Sequence, residues 1–213
     1  MRRLFTVLAI GQLTVFGCSD TGFLSTWVNP DFSKPALSHV LVIGVSEQES
    51  GRRFWEGAFA EELDNQGVMA EESFLLIPSR GALTKEAVIA VVREKKLDGV
   101  LVTRLLAVTQ GRDESPASAA TVVPHVPQHG EPYYGGWYDY YTRAHALSTE
   151  PGETVAEVVV TLETNLYDAK TGTLVWSGQT QTFRPSHAAD VIGPTTQLVA
   201  MELATKKLIT ARN

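Results

Sequence analysis

His39-Val40-Leu41-Val42-Ile43-Gly44-Val45 is the stretch on which the fold turns. It is rich in β-branched residues, lacks polar alternation and is bounded by loop residues, the pattern of a strand buried on both faces. Such a strand needs cover on two sides, and the residues after it supply helices. Ser46 to Ser50 turns the chain, and Ser50 is placed to cap a helix over residues 51–66. There Trp55, Phe59 and Leu63 recur every fourth position with Ala58 beside them, giving one apolar stripe. Gly67 ends it. Met69 to Ile77 reads as a second strand, closed by Pro78 and the Ser79-Arg80-Gly81 turn. Thr84 caps a second helix to Lys96, apolar through Val88, Ile89, Val91 and Val92, with Arg93, Lys95 and Lys96 suiting the negative end of its dipole. Asp98-Gly99 leads into a third strand, Val100 to Val108. A β-α-β-α-β series with these connections implies parallel strands.

Downstream, Thr109 to Glu153 breaks the pattern. It holds five of the six tyrosines, all within Tyr133-Tyr134-Gly135-Gly136-Trp137-Tyr138-Asp139-Tyr140-Tyr141, which makes it the place to look for contacts with other molecules. Order returns with a strand on which Val158, Val160, Leu162, Thr164 and Leu166 alternate with Glu157, Val159, Thr161, Glu163 and Asn165. Asp168 to Gly172 forms a turn, and the return strand from Thr173 to Phe183 sets Leu174 and Trp176 on one face. After a short turn at Ala188 to Val191, Pro194 opens a last helix on which Leu198, Met201, Thr205 and Leu208 trace a stripe to about Ala211. The fold class is therefore α/β: a mixed sheet, β-α-β-α-β, followed by an antiparallel hairpin and a C-terminal helix.

Upstream, Met1-Arg2-Arg3 is a basic start, Leu4 to Phe16 is mostly apolar, and Gly17-Cys18-Ser19-Asp20 follows. That run suits a signal-peptide core and falls short of the roughly 20 residues that span a bilayer. Val15, Gly17 and Cys18 resemble the lipobox of bacterial lipoprotein precursors, which implies cleavage after residue 17 and acylation of Cys18. The plainer alternative is an ordinary signal peptide with an incidental cysteine. Ser19 to Ser38 is rich in Ser, Thr, Pro, Asn and Asp, and although Trp27 and Phe32 offer docking groups, no periodicity orders them. The expected organisation is a signal peptide (1–17), a lipidated N-terminus with a flexible tether (18–38) and one α/β domain (39–211) with an insertion at 109–153.

Formal charge is −6, and a leader that holds Arg2 and Arg3 but no acid removes two more positive charges when it is cut. An acidic body argues against nucleic acid and against electrostatic adhesion to anionic lipid, so membrane attachment falls to the acyl chains on Cys18. A single cysteine excludes an intrachain disulfide.

The element order, centred on Leu166-Tyr167-Asp168-Ala169-Lys170-Thr171-Gly172-Thr173-Leu174-Val175-Trp176-Ser177, resembles a group of bacterial envelope lipoproteins. Their α/β domain is of the kind found at the N-terminus of TolB and in curli-secretion-type lipoproteins. The resemblance covers about Val40 to Val108 and Thr154 to Leu208. It implies localisation and fold, and transfers no catalytic residue.

Several constellations carry chemistry. Gly44 to Gly51 lies where a phosphate loop sits, but it lacks the glycine spacing, and Glu47 and Glu49 repel phosphate, so it reads as a plain strand-to-helix loop. His125, His129, His145 and Glu131 are metal-ligand types, yet Pro124 and Pro127 oppose a helical presentation, so they read as loop residues, with no metal or cofactor expected. Arg104 shares a strand face with Val102 and Leu106 and needs a carboxylate such as Glu163, as a structural ion pair. Tyr133, Tyr134, Trp137, Tyr138, Tyr140 and Tyr141 are the candidate ligand- or partner-contact residues, since their side chains join apolar area to a polar edge. Two other readings stand beside that one: a flap on the domain's own sheet, or a low-complexity loop.

The expectation is a non-enzymatic, membrane-anchored interaction or assembly module of the cell envelope with an envelope protein partner. In a source with two membranes, Ser19 after the cysteine resembles the pattern sorted to the outer membrane, facing the periplasm. The alternative is a glycan-binding or glycan-processing envelope protein that uses the Tyr/Trp-rich insertion.

Overall fold

A computed structural model describes residues 20–111 and 157–210. The elements are β1 (Asp20–Val28), β2 (His39–Val45), α1 (Glu49–Asn65), β3 (Met69–Glu72), α2 (Ser73–Leu76), α3 (Lys85–Lys95), β4 (Gly99–Gly111), β5 (Glu157–Asp168), β6 (Leu174–Phe183) and α4 (Ala189–Thr205). They build one six-stranded mixed sheet in the order β1-β6-β5-β4-β2-β3. β2 is parallel to both β3 and β4, and the remaining neighbours are antiparallel.

Every residue of β2 is buried, as its uninterrupted apolar run requires. Val40 and Val42 point to one face, where Phe59 and Leu63 of α1 and Val199, Ala200 and Leu203 of α4 cover them. Leu41, Ile43 and Val45 point to the other, against Val88 and Val92 of α3. Gly44 allows the close approach of α1: a Cβ there would lie 3.1 Å from that of Trp55 and 3.3 Å from the Arg52 carbonyl oxygen. Thr84 caps α3, its hydroxyl accepting from the Ala87 N–H at 3.2 Å, and Lys96 closes that helix in the left-handed region at φ 55°.

The flexible tether expected before residue 39 is not there from Asp20 onward. Asp20–Val28 pairs with β6 as an edge strand. The link to β2 is also pinned. Asn29 Nδ2 donates to the Leu174 carbonyl at 2.9 Å, Lys34 Nζ meets Asp168 Oδ2 at 2.9 Å, and Leu37 is buried. A register shift between Phe23 and Ser25 hides this strand from a hydrophobic pattern: Phe23 and Val28 pack on one face, Trp27 on the other, and Leu24 is exposed.

Four further expectations shift. Helix α1 begins at Glu49 over Gln48, with no side-chain cap, and Ser50 lies within it. The second strand stops at Glu72, because Glu56 draws the Phe74 N–H and Ser73 into the helical turn α2. Leu174 and Trp176 face opposite sides of the sheet. Leu166 pairs with Trp176 and Tyr167 with Leu174, so Val175 is the extra residue of a bulge that reverses the alternation. Helix α4 starts at Ala189 and carries Pro194 inside it, and its buried face runs through Ile192, Thr196, Val199, Ala200 and Leu203 while Met201 is exposed. Gly193-Pro194 reads as a boundary, yet Asp190 Oδ2 accepts from the N–H groups of Ser186 and His187 and secures the helix start ahead of it.

The hairpin turn forms as expected. Gly172 takes φ 72°, and Asp168 Oδ1 accepts from the Lys170 and Thr171 N–H groups at 3.0 and 2.7 Å and from the Thr171 hydroxyl at 2.8 Å.

Candidate functional site

Besides Asp168, the described residues include two buried ion pairs, and the structure uses both to join elements. Glu56 and Arg52 are wholly buried on the sheet-facing side of α1. Arg52 Nε donates to Glu56 Oε1 at 3.0 Å, while its Nη2 donates to Ser73 Oγ at 2.7 Å and to the Ile77 carbonyl at 3.0 Å. Glu56 also accepts from the Gly44 N–H at 3.0 Å, the Ser73 hydroxyl at 2.6 Å and the Phe74 N–H at 2.7 Å. Burial pushes the Glu56 carboxyl up, against the opposing pull of Ser73, Gly44, Arg52 and Phe74. β2, α1 and α2 thus meet on one carboxylate. Between residues 52 and 56 the spacing is that of an ordinary surface pair, so the sequence gives no sign of its burial.

The second pair is the one the strand parity anticipates. Arg104 and Glu163 face each other in register, with Arg104 Nε 3.0 Å from Glu163 Oε2. Beside them the Tyr167 hydroxyl is pushed up, chiefly by burial and then by the Glu163 charge.

A cleft of about 380 Å³ opens where β2 ends, at the carboxyl ends of the parallel strands. Its lining includes the register pairs Leu105–Leu162 and Val108–Val160, with Trp55 of α1 and Ile192 of α4. Trp55 is held by stacking on Phe59, ring centroids 6.3 Å apart. The polar lining comes from the Ser46-Glu47-Gln48 loop, the plain strand-to-helix connection expected there. The Ser46 hydroxyl donates to the Gln48 carbonyl at 3.0 Å and accepts from the Gln48 N–H at 3.3 Å, so it is committed to the loop. Near the cleft, N–H groups of Ser186 and His187 hold the Asp190 carboxyl below the usual carboxylate range. A lining of this kind suits apolar groups, and its one acid, Glu47, disfavours anions. The switch in strand direction between β4 and β5 was readable, but α4 was placed too late in the sequence to show as a wall of the cleft.

Cys18 and the aromatic candidates Tyr133, Tyr134, Trp137, Tyr138, Tyr140 and Tyr141 lie outside the described residues, as do His125, His129, Glu131 and His145. The two ends of that insertion are placed: Gly111 and Glu157 pair with each other at the end of the sheet that carries the cleft. Among the described residues no helix is long and apolar enough to cross a membrane.

No protein-family model matches the chain, and no curated protein matches it. Among solved structures, the PelC dodecamer from Paraburkholderia phytofirmans matches with 17% identity and a TM-score of 0.43, over 88% of this chain and 99% of that one. A variant of the same dodecamer matches with 16% identity and a TM-score of 0.43, over 91% and 99% of the two chains. Lipoprotein GNA1162 from Neisseria meningitidis matches with 12% identity and a TM-score of 0.40, over 79% and 99%.

Proposed function

We propose that this chain is a lipid-anchored protein of the bacterial cell envelope, acylated at Cys18, and that it works as a non-enzymatic interaction or assembly module. One observation carries the reading: the first strand of the folded domain begins at Asp20, directly after the Leu4–Phe16 apolar run and the Gly17-Cys18 junction. A leader followed at once by folded chain leaves Cys18 as the natural attachment point. The buried ion pairs support the modular half of the proposal, since they bind elements to one another and neither lines the cleft. In a two-membrane source, Ser19 directs the protein to the outer membrane, facing the periplasm.

Metabolic labelling with a fatty acid tests the anchor. Cys18→Ser should abolish the label, and equal label in the variant refutes acylation at this position. Co-purification from crosslinked envelopes tests the module, and a specific envelope protein is the expected result. Retention on isolated peptidoglycan or oligosaccharides, lost when Trp137 and Tyr138 become Ala, would replace that partner with a glycan.

A further inference from the structure

We propose that the cleft-bearing end of the sheet is a membrane-contact surface, apposed to the phospholipid headgroups by acylated Cys18. The inference rests on the acylation reading above and adds which part of the domain meets lipid. Strand β2 stops at Val45, opposite Arg104, whereas β4 runs on to Gly111 with β5 beside it. Across this overhang Asp20 pairs with Phe183, Phe183 with Val159, and Val159 with Thr109, so Asp20 and Thr109 share one row of the sheet. Among the described residues of the ladder, only Gln110–Val158 and Gly111–Glu157 lie farther out.

Reach decides the matter. From Thr109 to Gly111 the ladder advances two residues, about 7 Å. From Cys18 to Asp20 the chain is also two residues long and spans at most about 7 Å. The two reaches are equal, so Cys18 can extend no farther than the tip of the ladder. An acyl-bearing residue sits in the interfacial layer, which is roughly 5–8 Å thick on each side of the hydrocarbon core. Two residues of chain are all that separate the anchor from strand β1.

The chemistry of the two ends agrees with this orientation. At the overhang Val108 is 51% exposed, Leu105 38% and Phe183 36%, and Val108 and Leu105 line the apolar cleft. At the opposite end, where Met69 in register with His39 is 42% exposed, polar groups close on one another: Asp98 accepts from the N–H groups of Ser38 and His39, and Asp168 caps its own turn beside exposed Lys170 and Thr171. Glu47 and exposed Arg184, whose N–H donates to the Val158 carbonyl at 2.8 Å, put one charge of each sign near the overhang, which gives anionic lipid no net advantage, so contact is through apolar and zwitterionic parts of the headgroup layer.

The test uses the full acylated chain in phosphatidylethanolamine/phosphatidylglycerol vesicles whose headgroups carry a nitroxide quencher. An environment-sensitive fluorophore is attached in turn to Val108→Cys, Phe183→Cys and, as the far-end control, Lys170→Cys. Cys18 is the only native cysteine and its sulfur is blocked by the lipid, so each variant has one reactive thiol. Quenching at the first two positions should exceed that at the third several-fold. Equal quenching at all three, with fatty-acid label present on Cys18, would overturn the orientation and leave the anchor standing. Loss of the fatty-acid label would instead remove the anchor, and the orientation with it.

Discussion

Glu56 draws hydrogen bonds from three elements, and at the residue scale its removal should be felt most. Glu56→Ala leaves Arg52 charged and buried beside Ser73, and truncating one member of such a pair costs about 3–5 kcal/mol. Replacing both residues with apolar ones of similar volume should recover much of that loss, because the uncompensated charge disappears. Urea denaturation of the single and double variants checks both statements, and equal loss in the two would show that the pair itself is the source of stability. Trp176 is the other residue to probe. It is fully buried, and its ring lies over Gly178, where a Cβ would collide with it. Trp176→Ala should cost about 3–5 kcal/mol, and Gly178→Ala about 1–3 kcal/mol by overpacking. An unchanged denaturation midpoint for Gly178→Ala would mean that the ring has room to move. These residues also mark what the sequence discloses. Arg104–Glu163 was legible because a cation between apolar neighbours on a strand needs an anion across from it. Arg52–Glu56 was not, because a helical Arg–Glu pair four apart is usually solvated, and the burial comes from α2, a turn hidden in an apolar run.

Among the elements, the hairpin turn between β5 and β6 carries a pH dependence. Burial alone would raise the Asp168 carboxyl, but bonds from Lys34 and from the backbone and hydroxyl of Thr171 outweigh it and hold the group below the usual carboxylate range. A depressed folded-state pKa contributes stability that is present above the unfolded value and lost as pH falls through the folded one. Asp168→Asn should therefore flatten the acid limb of the stability–pH profile below about pH 4, as followed by denaturation at fixed temperature, with little change in its slope near neutrality. An unaltered acid limb would show that Asp168 does not govern it. The central strands, α1 and α3 were readable because burial on both faces and helical spacing leave unambiguous patterns. β1 and the start of α4 were not. One is an edge strand whose apolar residues Phe23, Leu24, Trp27 and Val28 follow no regular alternation, because a register shift between Phe23 and Ser25 interrupts it, and the other contains a Gly-Pro that normally ends a helix but here lies beyond a start fixed by Asp190.

For the whole molecule, the boundary of the insertion can be set from the ladder rather than from composition. Thr109–Val159, Gln110–Val158 and Gly111–Glu157 are paired, so the segment that can be exchanged without cutting the sheet is 112–156, three residues downstream of the bounds that composition suggests. Replacing it with a short Gly/Ser linker should leave the melting temperature nearly unchanged while removing the biological phenotype. Unfolding of the shortened protein would instead make the segment part of the core. The edge pairing has one more consequence, and it concerns time. Thr21 and Thr182 sit hydroxyl to hydroxyl at 2.9 Å, although 161 positions separate them. The strand synthesised first has no partner until β6, nearly the last element, has emerged. Pairings of such long sequence separation form slowly, and until then β6 keeps an open edge able to recruit another chain. In an exported chain of this design, the anchor would be fixed while its own neighbouring strand still waits for a partner, and the sheet would close last at the point where the protein is tied down.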